Sequence, residues 1–298
     1  MQIKTGKQII QVNNPDKILY PEDKITKLQV IQYYEKIAPL MIPHLKDRPL
    51  TMHRFPDGII AEGFFQKEAP EYIPPWIEKI KLDNKTGGDT TYILCQNKET
   101  LLYIAEQACI TPHIWLAKYD KPNHPDKIVF DLDPPTADQF EPVRETALLL
   151  KNTLEKLQLN TFAMTTGSKG VHIIIPIERE YTFEQTRLFA QKIAKNLAKN
   201  NPKQITVEQR KEKRTGRLFI DTTRNAYAQT SVAPYALRAK KTAPIATPLH
   251  WHELENKNIN AKTYNINNIF KHLENTPNPW KNIIQQTNTL KQALNKIN

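Results

Sequence analysis

Apolar residues recur at the spacing of an amphipathic helix in three stretches of the chain. The first covers residues 27–42, where Pro43 is expected to end the helix. The second covers residues 143–157, in which apolar positions recur at intervals of four and three. The third follows Thr182 and Gln185, a pair with the spacing of a capping box. These patterns predict three amphipathic helices.

Short runs rich in branched apolar residues lie around the second and third helices and predict β-strands. They cover residues 127–131, 161–165, 171–177 and 218–221. Together with the helices they give the order β-α-β-β-α-β, which is typical of ferredoxin-like and RNA-recognition-type sheets. In an idealised sheet of this type, the strand ends that carry Asp133, His172 and Asp221 do not all coincide. Their convergence would require a longer or differently ordered sheet.

The first 120 residues contain a single clear helical pattern and otherwise predict loop-rich structure. The segment 56–75 is rich in proline and aromatic residues and is expected to be irregular surface. The chain of 298 residues is long enough for one large domain or two small ones. Its content of 39% hydrophobic and 24% charged residues predicts a buried core.

Composition also indicates the cellular environment of the chain and the kind of partner that it binds. No run approaches the roughly 20 apolar residues of a membrane helix, and the N-terminus lacks the apolar stretch of a signal peptide. Cys95 and Cys109 have no partner motif, so neither a disulfide framework nor a zinc site is expected, and a reducing cytoplasm fits. The net charge of +11 favours nucleic-acid binding, although an AT-rich genome that inflates lysine and asparagine would give a similar balance.

Two carboxylates end the first of the predicted strands. Asp131 and Asp133 are two residues apart, so their side chains share one face and repel each other unless a cation lies between them. Mg²⁺ and Mn²⁺ take oxygen ligands of this kind. Asp221 ends the last predicted strand and would supply the third carboxylate of a two-metal site. The alternative is a solvated acidic turn before Pro134, with Asp221 as an ordinary polar strand end.

A polar turn that contains glycine joins the two middle strands. Gly167, Ser168 and Lys169 would offer backbone N–H groups, a hydroxyl and an ammonium group to an anion. The spacing is not that of a Walker loop, and a strand follows instead of a helix. His172, just after the turn, could donate to a triphosphate. A plain hairpin turn and a structural histidine are the alternatives.

Cations near the last predicted strand are candidates for phosphate contacts. The basic run 210–217 leads directly into the strand that ends at Asp221. It could bind a triphosphate or a template backbone, and Arg238 could do the same. Charge runs of this kind are more often solvated surface, which is the alternative.

Two further groups near the N-terminus are candidates for DNA contacts. Lys17 and Lys27 could face one phosphate at the start of a helix that Thr26 caps, or could be solvated lysines. Phe64 and Phe65 form an aromatic pair that could stack on a base or plug the core.

Seven short motifs occur in order along the chain. They cover residues 14–21, 63–67, 74–76, 128–134, 167–172, 219–221 and 232–235. Together they resemble the polymerase domain of bacterial ligase D, a branch of the archaeo-eukaryotic primase superfamily. The resemblance extends over most of the chain, and it is specific because all seven motifs are present in the same order.

The resemblance implies an α+β primase-polymerase fold with a single catalytic domain over residues 1–298. Residues 1–120 would form an N-terminal α/β lobe. Residues 121–298 would form an RRM-like or ferredoxin-like βαββαβ palm with a C-terminal helical tail. In that palm Asp131, Asp133 and Asp221 would be catalytic and would bind Mn²⁺ or Mg²⁺ as the cofactor.

The resemblance also implies the residues that bind nucleotide and DNA. The NTP or dNTP would be held by Thr166, Gly167, Ser168, Lys169, His172, Arg238, Arg214 and His113. DNA, including the 5′-phosphate at the far side of a gap, would be bound by Lys17, Lys27, Asn14, Phe64, Phe65 and Arg224. Thr166 stands where the family commonly has serine and keeps the hydroxyl. Gln229 stands where some members have lysine, which puts one phosphate contact in question.

The implied function is a template-directed nucleotidyltransferase that fills gaps and extends 3′ ends at DNA double-strand breaks in non-homologous end joining. Its partners would be DNA with gaps, overhangs or a 5′-phosphate, Ku and an ATP-dependent DNA ligase, in a nucleoid-associated cytoplasmic location without a membrane. A ligase motif of the Lys-x-Asp-Gly type does not occur in the sequence. The alternatives are a replicative-type primase and a non-catalytic DNA-end-binding module.

Overall fold

A computed structural model describes residues 1–276 and 278–297, which divide into two compact units. The first unit contains Met1–Trp115, Thr230–Ala246 and Asn265–Ile269. The second contains Leu116–Gln229, Thr247–Tyr264 and the described residues from Phe270 onward. The first unit therefore includes two segments from the part of the chain that the resemblance assigns to the palm lobe.

The first 115 residues contain nine strands and two helices among the described elements. Two short hairpins come first, β1 (Gln2–Thr5) with β2 (Gln8–Gln11), and β3 (Ile18–Tyr20) with β4 (Ile25–Thr26). They are followed by α1 (Lys27–Leu45), β5 (Pro49–Arg54), β6 (Phe64–Gln66), β7 (Lys79–Asp83), β8 (Asp89–Leu94), α2 (Lys98–Glu106) and β9 (Cys109–Trp115).

The remaining elements belong mainly to the second unit. In chain order the first of them are β10 (Lys127–Asp133), α3 (Glu141–Lys156), β11 (Phe162–Thr165), β12 (Val171–Pro176), α4 (Phe183–Asn200), β13 (Ile205–Thr206) and β14 (Leu218–Asp221). The chain then passes through β15 (Thr230–Val232), β16 (Thr247–Leu249), α5 (Trp251–Glu255), α6 (Ile269–Asn275) and α7 (Lys291–Ile297).

An antiparallel sheet forms the centre of the first unit. Its strand order is β15-β9-β5-β8-β7, and β6 pairs separately with β5. The prediction that the first 120 residues are loop-rich with one clear helix is therefore wrong, and part of the segment 56–75 is the strand β6. The sequence patterns did not predict these strands because they are only three to seven residues long. In addition, β7 has exposed lysines and β8 has half-buried threonines, so neither forms an apolar run.

The helix α1 begins where the sequence predicts and ends later. Thr26 accepts a hydrogen bond from Gln29 N at 3.2 Å, and Gln29 Oε1 accepts one from Thr26 N at 2.8 Å, so a capping box starts the helix. The predicted end at Pro43 is wrong, because α1 continues to Leu45. Leu45 is fully buried, and its burial offsets part of the roughly 3 kcal/mol that an interior proline costs.

The sheet of the second unit has the order β13-β14-β10-β12-β11-β16. Its four central strands are antiparallel and follow one another as β14-β10-β12-β11. One face packs its apolar side chains against α3 and α4, and Phe130 and Ile173 lie fully buried there. The capping box predicted at Thr182 is present and starts α4.

Cys95 and Cys109 are both buried free thiols, as expected from the absence of a disulfide framework. Burial raises the pKa of Cys109 to about 12 and also raises the pKa of Cys95. Both therefore behave as small apolar side chains. Across residues 1–276 and 278–297, no helix combines the length and the apolar character that crossing a membrane requires.

Candidate active site and nucleic-acid interface

The second unit aligns the predicted carboxylates in one row across three adjacent strands. Asp131 of β10 lies directly opposite His172 of β12 on one side and opposite Asp221 of β14 on the other. Residues directly opposite each other in an antiparallel pair project from the same face of the sheet. Asp133 is two residues further along β10 and therefore shares that face.

The register of the strands explains why these side chains converge although an idealised sheet predicts otherwise. The strand order needs no change. Instead, β14 is only four residues long and pairs with the C-terminal part of β10, so its last residue is level with Asp131. His172 is the second residue of β12, which runs antiparallel to β10 and so begins beside the same end.

Asn225 continues the pairing of β10 where β14 ends, and no sequence pattern pointed to it. Its amide nitrogen donates to Val129 O at 2.7 Å, and its amide oxygen accepts from Val129 N at 2.8 Å. The side chain thus replaces one residue of a neighbouring strand. Asn225 is almost completely buried, so these bonds are shielded from water. They hold β10 and the chain after Asp221 in fixed register.

Burial and the neighbouring carboxylates both act on the charge of Asp133. Burial, and then the negative charges of Asp131 and Asp221, raise the pKa of Asp133 to about 6, against the opposing effect of Arg214 and His172. His172 Nε2 lies 3.4 Å from Asp131 Oδ1. A cation placed among these groups would relieve the repulsion that disfavours the charged form of Asp133.

The donor set of the row fits a hard divalent cation. Three carboxylates on one face supply the oxygen ligands that Mg²⁺ and Mn²⁺ prefer. Within the residues that the structure describes, however, no three histidine, cysteine, aspartate or glutamate side chains are already arranged around a common metal position. Binding an ion would therefore require the carboxylate oxygens to come closer together than they are in this structure.

Arg214 is positioned beside the row by an aromatic ring. Its guanidinium carbon lies 3.8 Å from the ring centroid of Phe219, which is the cross-strand partner of Asp133. The guanidinium also donates to the carbonyl oxygens of Glu208 at 3.0 Å and Gln209 at 2.9 Å. These contacts fix a positive charge near Asp133.

The predicted nucleotide turn is organised around the hydroxyl group of Thr166. This oxygen accepts hydrogen bonds from the backbone N–H groups of Ser168 at 3.3 Å, Lys169 at 3.3 Å and Gly170 at 3.2 Å. Gly167 has a φ of 62°, which favours glycine. The N–H groups predicted to face an anion therefore face the threonine, and the distances are long for such bonds.

Gly170 brings this turn against the end of β10. A Cβ atom at this position would lie 1.8 Å from the carbonyl oxygen of Leu132, so only glycine fits. The close approach places the turn next to the residue that follows, Asp133. The second unit thus combines the carboxylate row, Arg214 and the turn in one region.

The first unit contains the residues predicted to recognise a 5′-phosphate, and each lysine faces a carboxylate. Lys17 Nζ lies 2.8 Å from Asp57 Oδ1 at the surface. Lys27 Nζ lies 2.8 Å from Glu106 Oε1 and 2.9 Å from the carbonyl oxygen of Asn13. The Lys27 and Glu106 side chains are only 11% and 5% exposed, so this pair is buried. Sequence patterns did not point to Glu106.

Glu106 and the loop around Asn14 form one hydrogen-bonded group. Glu106 Oε1 also accepts from Asn13 N at 3.3 Å, and Glu106 Oε2 accepts from Gln107 Nε2 at 2.6 Å. Asn14 has a φ of 49°, in the left-handed region that asparagine tolerates. The loop that precedes Lys17 is therefore held to the end of α2 by a single buried carboxylate.

Phe64 and Phe65 are exposed, which excludes the prediction that they plug the core. Their side chains are 46% and 58% exposed on β6. Phe65 stacks on His53 with ring centroids 4.0 Å apart, and the guanidinium of Arg54 lies 5.5 Å from the ring of Phe64. Two rings backed by basic side chains form a surface suited to stacking on nucleobases.

The other predicted residues lie in the same two units. In the first unit, His113 belongs to β9 and its ring lies 5.4 Å from that of Phe65. Burial, and then the positive charge of Arg238, lower the pKa of His53. Thr111, the cross-strand partner of His53, donates to the carbonyl oxygen of Leu237 at 2.6 Å, which places the residue before Arg238 beside this strand. In the second unit, Arg224 is half-buried in a short 3-10 helix that follows Asp221.

Comparison with known proteins identifies the family. The model described as "LigD, primase-polymerase domain" matches residues 26–280. The chain belongs to this family. The match confirms the resemblance predicted from the seven motifs, and it covers both the carboxylate row and most of the predicted DNA contacts.

Full-length relatives of this LigD family member are longer than the chain. The multifunctional non-homologous end joining protein LigD of Mycolicibacterium smegmatis is 34% identical over 247 residues, which are 82% of this chain and 32% of the relative. The bifunctional non-homologous end joining protein LigD of Bacillus subtilis is 32% identical over 247 residues, which are 83% of this chain and 39% of the relative. The chain thus spans about a third of the length of these curated relatives.

A solved structure confirms the mixed α and β fold. The polymerase domain of Mycobacterium tuberculosis ligase D, in complex with DNA, is similar to the chain with a TM-score of 0.86 at 27% sequence identity. The similarity covers 94% of this chain and 99% of that domain. The architecture described above is therefore that of the LigD polymerase domain.

Proposed function

We propose that the chain is a template-directed nucleotidyltransferase that extends 3′ ends and fills gaps at DNA double-strand breaks in non-homologous end joining. The observation that carries the proposal is the row of Asp131, Asp133 and Asp221 on one face of the second unit's sheet, beside the turn of residues 166–170. Membership of the LigD primase-polymerase family supports it. In this proposal the sheet is the RRM-like palm of the enzyme.

The reaction is attack of a primer 3′-hydroxyl on the α-phosphate of a bound nucleotide, with pyrophosphate as the leaving group. The three carboxylates would hold Mn²⁺ or Mg²⁺, and the bound metal would activate the hydroxyl and stabilise charge on the phosphates. Arg214 would supply a fixed positive charge to the triphosphate from its position over Phe219. Catalysis would thus rest mainly on positioning and electrostatics.

The turn of residues 166–170 would receive the triphosphate with the side chains of Ser168 and Lys169. Because the Thr166 hydroxyl accepts hydrogen bonds from three backbone N–H groups of the turn at 3.2–3.3 Å, it keeps the turn formed before nucleotide arrives. His172 would donate to the nucleotide or orient Asp131, from which it is 3.4 Å distant. Nucleotide contacts by His113 and Arg238 remain predictions from the resemblance.

The first unit would bind DNA at a break. Lys17 and Lys27, with the loop at Asn14, would bind a 5′-phosphate, and Phe64 and Phe65 would stack on bases of the template. Arg224 in the second unit would contact the DNA backbone. The partners in the cell would be Ku and an ATP-dependent DNA ligase, at the nucleoid in the cytoplasm.

The test is primer extension on gapped DNA with Mn²⁺ or Mg²⁺, with ribo- and deoxyribonucleotides offered in parallel. Asp131→Asn keeps the side-chain shape and removes the charge, so extension should fall by at least about a hundredfold. Affinity for the gapped DNA should stay within about twofold. Glu145→Gln removes an exposed charge from α3 and serves as the matched control with normal extension.

The outcomes separate this function from the two alternatives. Undiminished extension by Asp131→Asn would contradict the assignment of the carboxylate row. Robust binding without extension by the unaltered protein, under every combination of metal and nucleotide, would indicate a non-catalytic end-binding module. De novo synthesis on single strands with no response to a downstream 5′-phosphate would indicate a primase.

A further inference from the structure

Positive charge is concentrated in one segment of the second unit. Ten of the 42 lysines and arginines, but only two of the 31 acidic residues, lie between Arg187 and Arg217. This segment therefore carries +8 of the net +11, while the rest of the chain has 32 basic and 29 acidic residues. Such local repulsion is relieved by a partner with dense negative charge.

Three of these lysines form a stripe on the solvent side of α4. Lys192, Lys195 and Lys199 are exposed and follow one another at i, i+3 and i+7, whereas the opposite side of the helix is buried in the core. At 1.5 Å per residue the stripe is about 10 Å long. This is the length of about three base pairs of DNA. The stripe therefore matches several consecutive phosphates rather than one.

The loop between β13 and β14 adds three exposed cations beside the end of α4. Arg217 donates to the carbonyl oxygen of Arg214 at 2.9 Å and reaches that of Pro202 at 3.5 Å, which ties the loop to the turn after α4. The exposed cations of the loop point to solvent around this framework. Together with the stripe they form the basic strip, defined as Lys192, Lys195, Lys199, Arg210, Lys211 and Lys213.

A polar cleft of about 140 Å³ connects the basic strip with the strand that ends at Asp221. Its walls include Lys195 of α4, Gln209 of the loop and residues 219–223. The cleft exists because β13 pairs with only two residues of β14, so the end of β14 lies open towards α4. The basic strip therefore begins beside the strand of the carboxylate row.

Four lysines of the basic strip lack a carboxylate partner among the residues described, unlike surface lysines such as Lys81. In the described part of the chain, Lys195, Lys199, Lys211 and Lys213 make no side-chain ion pair, whereas Lys81 pairs with Asp89 at 2.9 Å. Lysines without a carboxylate partner keep their full charge for an external anion. This distinguishes the strip from a surface of balanced charges.

We infer that the basic strip binds the sugar–phosphate backbone of the primer–template duplex next to the point of extension. The inference rests on the proposed function, because it gives that function the duplex on which it acts. The contacts are independent of sequence, since lysine and arginine reach phosphates and not base edges here. A lipid surface fits less well, because the exposed face of α4 offers a single large apolar residue, Leu188, for insertion.

The test is fluorescence anisotropy with a labelled primer–template duplex that has no gap and no 5′-phosphate, measured between about 50 and about 200 mM salt. The triple variant Lys192→Ala/Lys195→Ala/Lys199→Ala should bind at least about tenfold more weakly. Its plot of log affinity against log salt should be shallower by about two to three, at about 0.9 for each lost phosphate contact.

Two matched variants control for charge and for folding. Lys257→Ala/Lys262→Ala/Lys271→Ala removes the same charge from exposed positions outside the strip and should change the affinity by less than about twofold. The triple lysine-to-arginine variant at positions 192, 195 and 199 keeps the charge and should bind normally. Equal losses in both alanine triples, or no loss in the strip variant, would overturn the inference.

Two further assays separate the possible explanations. Primer extension tests the proposed function itself, and vesicle binding tests whether the basic strip binds lipid instead of duplex DNA. If the unaltered protein extends primers and the strip variant binds duplex normally, only the basic strip is refuted. If the unaltered protein extends no substrate, the proposed function itself fails. If the strip variant loses binding to vesicles that contain phosphatidylserine but keeps duplex binding, the strip belongs to a lipid surface and the inference is overturned.

Discussion

The buried pair of Lys27 and Glu106 gives a quantitative test of how the first unit is built. Their charged atoms are 2.8 Å apart, and both side chains are nearly excluded from water. Removing one charge leaves the other buried without its counterion, which costs about 3–5 kcal/mol in known cases. We therefore expect Glu106→Gln and Lys27→Met each to lower the free energy of unfolding by about 3 kcal/mol.

The double variant distinguishes a coupled pair from two independent contacts. Lys27→Met/Glu106→Gln leaves no buried charge, so its loss should be smaller than that of either single variant, which corresponds to a coupling energy of at least about 3 kcal/mol. The assay is urea denaturation followed by circular dichroism, with the m-value compared among variants to detect changes in the denatured state. Losses that simply add in the double variant would refute the reasoning.

An exposed pair between the same two helices is the matched control. Lys98 of α2 and Glu35 of α1 lie 3.7 Å apart, with side chains 41% and 40% exposed. Their removal should cost less than about 0.5 kcal/mol, because solvent screens the attraction. The comparison has a practical consequence for the proposed 5′-phosphate contacts. Lys17→Ala tests phosphate binding alone, whereas any Lys27 variant also loses stability.

Three further predictions concern the second unit. Asn225→Ala removes two buried hydrogen bonds to Val129 and should lower the free energy of unfolding by about 2–4 kcal/mol. The amide of Val129 should also lose its protection from hydrogen exchange, and normal protection there would contradict the prediction. Thr166→Val should raise the KM for nucleotide and cost about 1–3 kcal/mol of stability, because it removes the hydroxyl that organises the turn. Thr166→Ser keeps the hydroxyl and should change neither quantity. Equal behaviour of the two variants would contradict the role of the hydroxyl. Gly170→Ala would place a methyl group against Leu132 and should cost about 1–3 kcal/mol in thermal unfolding, so an unchanged melting temperature would argue against the close approach.

The second unit was accessible from the sequence because its signals are local and strong. The long β-branched strand β12 and the capping box of α4 follow rules that act within a few residues. The carboxylates were found because a spacing of two on a strand fixes a shared face. What could not be deduced was the register, since it depends on where the short strand β14 pairs along β10.

The first unit was less accessible because its stability comes from contacts distant in sequence. The strand β15 pairs with β9, although more than a hundred residues separate them in the chain, and no local sequence pattern predicts this pairing. The charge partners of the lysines were missed for the same reason, because Glu106 lies 79 residues from Lys27. The helix α1 passed the expected stop at Pro43 because tertiary burial outweighs a local preference.

The side-chain clamp of Asn225 on Val129 has a consequence for how the domain can change over evolutionary time. A slip of β14 by a single position would turn Asp221 to the apolar side of the sheet and bring Ile220 into its place. Because Asn225 follows the C-terminal end of β14, its two hydrogen bonds to Val129 oppose such a slip from that end of the strand. The segment before the strand can therefore gain, lose or exchange residues while the acidic group stays where it is. The proposed DNA contacts of that segment can thus change while Asp221 keeps its place in the carboxylate row.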